Sequence, residues 1–77
     1  MRYIIANKEK ALNAGVRLLG HRVKGASIIL NEKEVGCLPS LNGELEERIQ
    51  SLDGTAYTDT RIHQIISEGG WDYGREL

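Results

Sequence analysis

Residues 20–30 read GHRVKGASIIL, and the fold turns on how this stretch is read. Its first eight residues match the phosphate-loop pattern G-x-x-x-x-G-K-[ST] at every position but one: Ala26 stands where that loop has its lysine. Such a loop works by running from a strand into a helix, so that backbone N–H groups and the helix N-terminus converge on the anion. Here Ser27 is followed by Ile28, Ile29 and Leu30, a run with strand composition and no helical period. Both the lysine and the helix are missing, so the stretch predicts a β-hairpin. Lys24 and Gly25 supply its turn, glycine taking the positive φ that tight hairpins need.

Working outward, residues 3–6 (YIIA) form a second unbroken apolar run. Asn7 then offers an N-cap, residues 8–14 are good helix formers, and Gly15 stands where a C-cap glycine belongs. Residues 16–23 read as a strand with Val16 and Leu18 on one face and Leu19, His21 and Val23 on the other. Residues 31–39 read as a polar connection closed by the only proline. Leu41, Leu45, Ile49 and Leu52 then recur at helical spacing, giving one apolar stripe. Ser40 or Asn42 caps this helix, and Glu44, Glu46 and Glu47 suit the positive end of its dipole. Asp53 and Gly54 stop it. Residues 55–58 (TAYT) have strand composition, and Thr58 or Asp59 caps a third helix carrying Ile62, Ile65 and Ile66 up to Gly69 and Gly70.

The expected architecture is a small α+β domain over residues 1–70, with element order β-α-β-β-α-β-α, followed by a tail of residues 71–77 that is frayed from Gly74 onward. The first six elements resemble the split β-α-β plan of ferredoxin-like folds, which implies an antiparallel sheet with its helices on one face. The first and third strands are central in that plan, and YIIA and SIIL are the two unbroken apolar runs. The mixed segments 16–23 and 55–58 suit its edges.

Seventy-seven residues make one domain that buries roughly 60% of its extended-chain surface, enough for one core but not for a deep substrate cavity as well. The chain has no Phe, one Trp and three Tyr, so Ile, Leu, Val and Ala must build that core. The single Cys37 excludes an internal disulfide framework and fits a reducing, cytoplasmic setting. No apolar run approaches the roughly 18 residues of a membrane span, and the four-residue run near the start is shorter than a signal-peptide core of about 7–15.

Charge is the main functional signal. Residues 1–30 hold six basic groups against Glu9 alone, +5, whereas residues 31–77 hold four against ten acidic groups, −6. Such asymmetry suggests an anionic partner, contacted through Arg17, Arg22 and Lys24. The competing expectation, which we favour, is that the two halves neutralise one another within the fold. Trp71 and Tyr73 supply half of the chain's four aromatic side chains. They form either a mobile recognition segment or, preferably, a tail folded back with Trp71 covering one end of the core.

No catalytic residue, cofactor or metal site is expected: His21, Cys37 and His63 sit on three different elements without ligand spacing. The expected function is a non-enzymatic binding or association module, joining a protein partner or a second copy through Arg17, Arg22, Lys24, Trp71 and Tyr73, with no membrane contact. An alternative is a nucleic-acid-binding accessory protein using the basic hairpin. A second alternative is a small enzyme using His63 or His21 with Cys37 or Asp59, Asp59 and His63 being spaced i, i+4 on the third helix.

Overall fold

The computed structural model describes residues 1–75. Its elements are β1 (Tyr3–Asn7), α1 (Lys8–Asn13), β2 (Arg22–Lys24), β3 (Ser27–Asn31), α2 (Glu32–Cys37), α3 (Leu45–Ser51), β4 (Thr55–Tyr57), α4 (Asp59–Ser67) and β5 (Asp72–Tyr73). The strands form one antiparallel sheet in the order β4-β1-β3-β2-β5. The two apolar runs are its inner strands, paired through Ile4↔Leu30, Ile5↔Ile29 and Ala6↔Ile28.

Strand side chains alternate between faces, so this register separates two sides. On one side Ile4, Ala6, Ile28 and Leu30 meet Ala11 of α1, Val35 of α2, and Ile49 of α3 with Leu52 at its C-cap, in one buried cluster. On the other side stand Tyr3, Ile5, Ile29, Arg22 and Lys24. Ile29 is 8% exposed, and Ile62 of α4 is 1% exposed yet lies outside the main cluster. Ile62 and Ile66 share a cleft with Tyr3 and Ile29, which places α4 over this second side. The expected arrangement with all helices on one face is therefore corrected. Ile5 and Ile29 make the inner strands apolar on both sides, and exposed apolar area on the second side would cost about 25 cal/mol per Å².

Local chemistry explains the element ends. Asn7 caps α1, its Oδ1 accepting from the Lys10 N–H at 2.9 Å, and Thr58 caps α4 by accepting from the Arg61 N–H at 3.1 Å. The expected polar connection over 31–39 instead contains α2. Asn31 caps it, accepting from the Glu34 N–H at 2.7 Å, with Glu32 and Glu34 in its first turn. Val35 is its one buried residue, so no apolar stripe marks so short a helix. The next helix begins at Leu45 rather than near Leu41. Neither Ser40 nor Asn42 caps it: Glu44 is the N-cap residue, and Ser40 Oγ donates to the Ala14 carbonyl at 2.6 Å, beside the end of α1.

The expected strand over 16–23 shortens to Arg22–Lys24. Val16 is buried and Leu18 packs against the core, but Gly20 has φ +86° and Leu19 is exposed, so the segment is irregular. The hairpin turn falls at Gly25 (φ +58°) and Ala26, leaving Lys24 within the strand. Residues 72 and 73 add the fifth strand against β2. Gly74, where fraying is expected to begin, is buried, and its N–H donates to the His21 carbonyl at 2.8 Å. Arg75 is exposed and belongs to no element, and the rest of that expectation, on residues 76 and 77, lies outside the described residues.

Arg2 clasps the start of the sheet to two helices. Its backbone N–H and Nε donate to Glu32 at 2.9 and 3.0 Å, and its Nη2 donates to Glu46 at 2.6 Å. These bonds to Arg2 hold the Glu32 carboxyl below its ordinary value. A depressed carboxyl contributes stability that is present above the unfolded-state value and lost as pH falls through the folded one. Glu32→Gln should therefore flatten the loss of stability below the ordinary carboxylate range, read as urea midpoints between pH 2 and 5.

Gly54 adjoins the start of β4 where a Cβ would lie 2.7 Å from Ile4 Cγ2 and 3.0 Å from the Ile49 carbonyl oxygen. Gly54→Ala should cost about 1–3 kcal/mol through overpacking, measured by urea unfolding, because Ile4 is fully buried and the Ile49 oxygen is backbone.

Candidate functional site

Alternation along β2 sends Val23 to the main core and turns Arg22 and Lys24 to the opposite side. β5 pairs with β2 in the register Arg22↔Tyr73. Directly paired residues share a face, so the strand addition lays Tyr73 beside Arg22. The guanidinium carbon sits 4.6 Å from the Tyr73 ring centroid. Two residues along, Lys24 Nζ lies 6.0 Å from the Trp71 ring centroid and donates to the Gly69 carbonyl at 3.3 Å. The basic strand and the aromatic tail are thus one surface of two cation–π pairs, a geometry that holds each cation over the negative face of a ring.

Glycines make this docking possible. At Gly74 a Cβ would lie 2.5 Å from the Leu18 carbonyl oxygen, so the chain passes as close as backbone permits. Gly70 has φ +89°, and a Cβ there would lie 2.9 Å from Lys24 Cε. Trp71 is half-buried, and its Nε1 is buried without a hydrogen-bond partner among the described residues. Tyr73 is 60% exposed.

The opposite charges of the two halves meet in part. Arg2 pairs with Glu32 and Glu46, and Lys10 Nζ with Asp53 at 2.8 Å. Arg22 and Lys24 form no ion pair among the described residues. Their charge is met by aromatic rings and, for Lys24, by the Gly69 carbonyl. Arg17 lies in the irregular stretch before β2 rather than on the strand, and is exposed.

His21 finds neither Cys37 nor Asp59 as its partner. Its Nε2–H donates to both Glu34 oxygens, at 2.8 and 3.0 Å, joining the start of β2 to α2. The other ring nitrogen, Nδ1, is buried and unpartnered among the described residues, so it is closed to a substrate in this geometry. His63 Nδ1 donates to the Asp59 carbonyl at 2.7 Å and stands 3.5 Å from that residue's carboxylate, on an exposed helix surface. Cys37 is an exposed free thiol beside a shallow depression that it shares with His21 and Glu34. Among the described residues no three His, Cys, Asp or Glu side chains converge as a metal site, and no helix is long and apolar enough to cross a membrane.

Between α4 and the β2–β5 side of the sheet runs a cleft of about 340 Å³. Ile29, Ile62 and Ile66 give it apolar walls, Tyr3 and Tyr73 add rings, and Arg22 adds charge. Sequence reasoning isolates Arg22 and Tyr73 but not Tyr3, although its two-residue spacing from Ile5 puts it on the same side. Glu34 leaves no such signal, because its distance from His21 is set by the packing of α2. No known protein family, curated protein or solved structure matches this chain.

Release of β5 should be visible in the single tryptophan. Gly74→Ala is expected to shift Trp71 emission to longer wavelength and to lower the melting temperature. Tyr73→Ala should cost only about 0.5–1 kcal/mol, the scale of one exposed cation–π pair, with the Trp71 emission little changed.

Proposed function

We propose that this chain is a non-enzymatic binding module that associates with an acidic protein surface through Arg22, Lys24, Trp71 and Tyr73. The observation that carries this is the joining of two cations and two aromatic rings on one sheet edge, with no carboxylate neutralising the cations among the described residues. Aromatic and arginine side chains dominate interface hot spots because they combine large apolar area with fixed polar geometry. A second copy is one partner of suitable charge, since Glu44, Glu46 and Glu47 are exposed. The buried Nδ1 of His21 supports a tie between elements rather than a proton acceptor.

The strand order β4-β1-β3-β2 supports a split β-α-β plan of the ferredoxin-like kind, with α4 and β5 as additions that build the contact face. The free Cys37 supports a reducing, cytoplasmic setting.

Nucleic-acid binding is the second reading, favoured by the same interleaving of cations and rings, which suits unpaired bases along a phosphate backbone. One comparison separates the two. Protein carrying Arg22→Gln and Lys24→Gln should lose the partners that the wild type captures by crosslinking, or its own self-association by sedimentation, while still unfolding cooperatively with a melting temperature lower by only the several degrees that two exposed cation–π pairs account for. If the wild type instead binds a single-stranded oligonucleotide with affinity falling steeply between 50 and 200 mM salt, and the double variant does not, the second reading replaces the first. Unchanged capture and self-association by the double variant would reject this face altogether.

A further inference from the structure

The cleft beneath α4 has a composition that the outer contact face does not require. Its inner wall is apolar: Ile62 and Ile29 are 1% and 8% exposed, and Ile66 flanks them. Its volume of about 340 Å³ lies at the small end of the roughly 300–1,000 Å³ typical of ligand sites. That suits a one- or two-ring compound. Tyr3 and Tyr73 present rings to the same space, favouring a flat aromatic occupant by offset or edge-on stacking.

The polar groups select the occupant's charge. The Arg22 guanidinium carbon lies 4.6 Å from the Tyr73 ring centroid, and no carboxylate among the described residues pairs with it, which leaves its N–H groups for an anion. A carboxylate is the planar match for that edge, accepting two parallel hydrogen bonds. Asn31 commits its Oδ1 to the α2 cap, so its remaining amide groups at the cleft are donors. Glu34 is the one carboxylate on the lining, and both its oxygens are taken by His21. Paired in this way, it opposes an incoming anion less than a free carboxylate would.

We infer that the cleft between α4 and β2 is a binding site for a small aromatic carboxylate, its ring against Ile29, Ile66 and Tyr3 and its carboxylate on the edge of Arg22. This goes beyond association with a macromolecule and does not depend on it, because the cleft's apolar wall lies apart from Lys24 and Trp71.

The test uses 2-naphthoate and its neutral analogue 2-naphthylmethanol, titrated separately into the isotope-labelled chain and followed by amide and methyl shifts. 2-Naphthoate should give saturable shifts centred on Ile29, Ile62, Ile66 and Arg22, and bind about tenfold more tightly than the alcohol, as one charge-assisted contact predicts. Arg22→Gln should bring the acid down to the alcohol's affinity while leaving the alcohol unchanged. Ile66→Trp should block both by filling the cleft, while the crosslinking and oligonucleotide assays of the outer face keep their wild-type result. Equal affinity for acid and alcohol in the wild type, shifts scattered over the surface, or an acid preference that survives Arg22→Gln would each overturn the inference. Arg22→Gln replaces a half-buried surface residue, so the acid preference remains measurable if Ile66→Trp does not fold.

Discussion

The pairing of Tyr3–Asn7 with Ser27–Asn31 is the constraint on which the rest of this molecule depends. Ile4, Ala6, Ile28 and Leu30 face one way from it, and Ile5 and Ile29 the other. A sheet apolar on both sides must be covered on both sides. The first three helices cover one, drawing Ala11, Val35, Ile49 and the adjoining Leu52 into the main core. The second side falls to α4, whose Ile62 is buried apart from that core. One nine-residue helix cannot span a five-stranded sheet, so the cover is incomplete. The cleft and the cation–π face occupy what it leaves open.

Electrostatics follows the same geometry. A chain with a basic N-terminal part and an acidic remainder could have cancelled its charge internally, and at the base of β1 it does so through Arg2, Glu32 and Glu46. The pairing of β2 with β5 has a different result for Arg22 and Lys24. It places rings beside them, and a ring orients a cation without neutralising it. Positive charge and apolar area are thereby retained together at one edge.

Much of this fold is legible in local sequence. The two apolar runs, the caps at Asn7 and Thr58, the glycine of the hairpin turn and the apolar positions Ile49 and Leu52 each act within a few residues. Short-range chemistry leaves a short-range pattern. The helix over 32–37 is hidden because one buried valine in six residues makes no stripe, and its cap resembles any Asn in a loop. The strand over 16–23 is overstated for the converse reason. Val16 and Leu18 are apolar for the core, but Gly20 turns the chain before a ladder can form.

Sequence by itself determined the hairpin at GHRVKGASIIL, the inner strands, the absence of a phosphate loop, and the basic and aromatic residues available for contact. Tertiary structure alone decided that these residues lie together. A two-residue strand has no periodicity to read, and its docking depends on the backbone of Gly74 passing against Leu18. The pairing of His21 with Glu34, and the meeting of Tyr3, Arg22 and Ile66 around one cleft, likewise join residues far apart in the chain. Such contacts are fixed by how helices settle on a two-sided sheet, and no spacing along the chain encodes them.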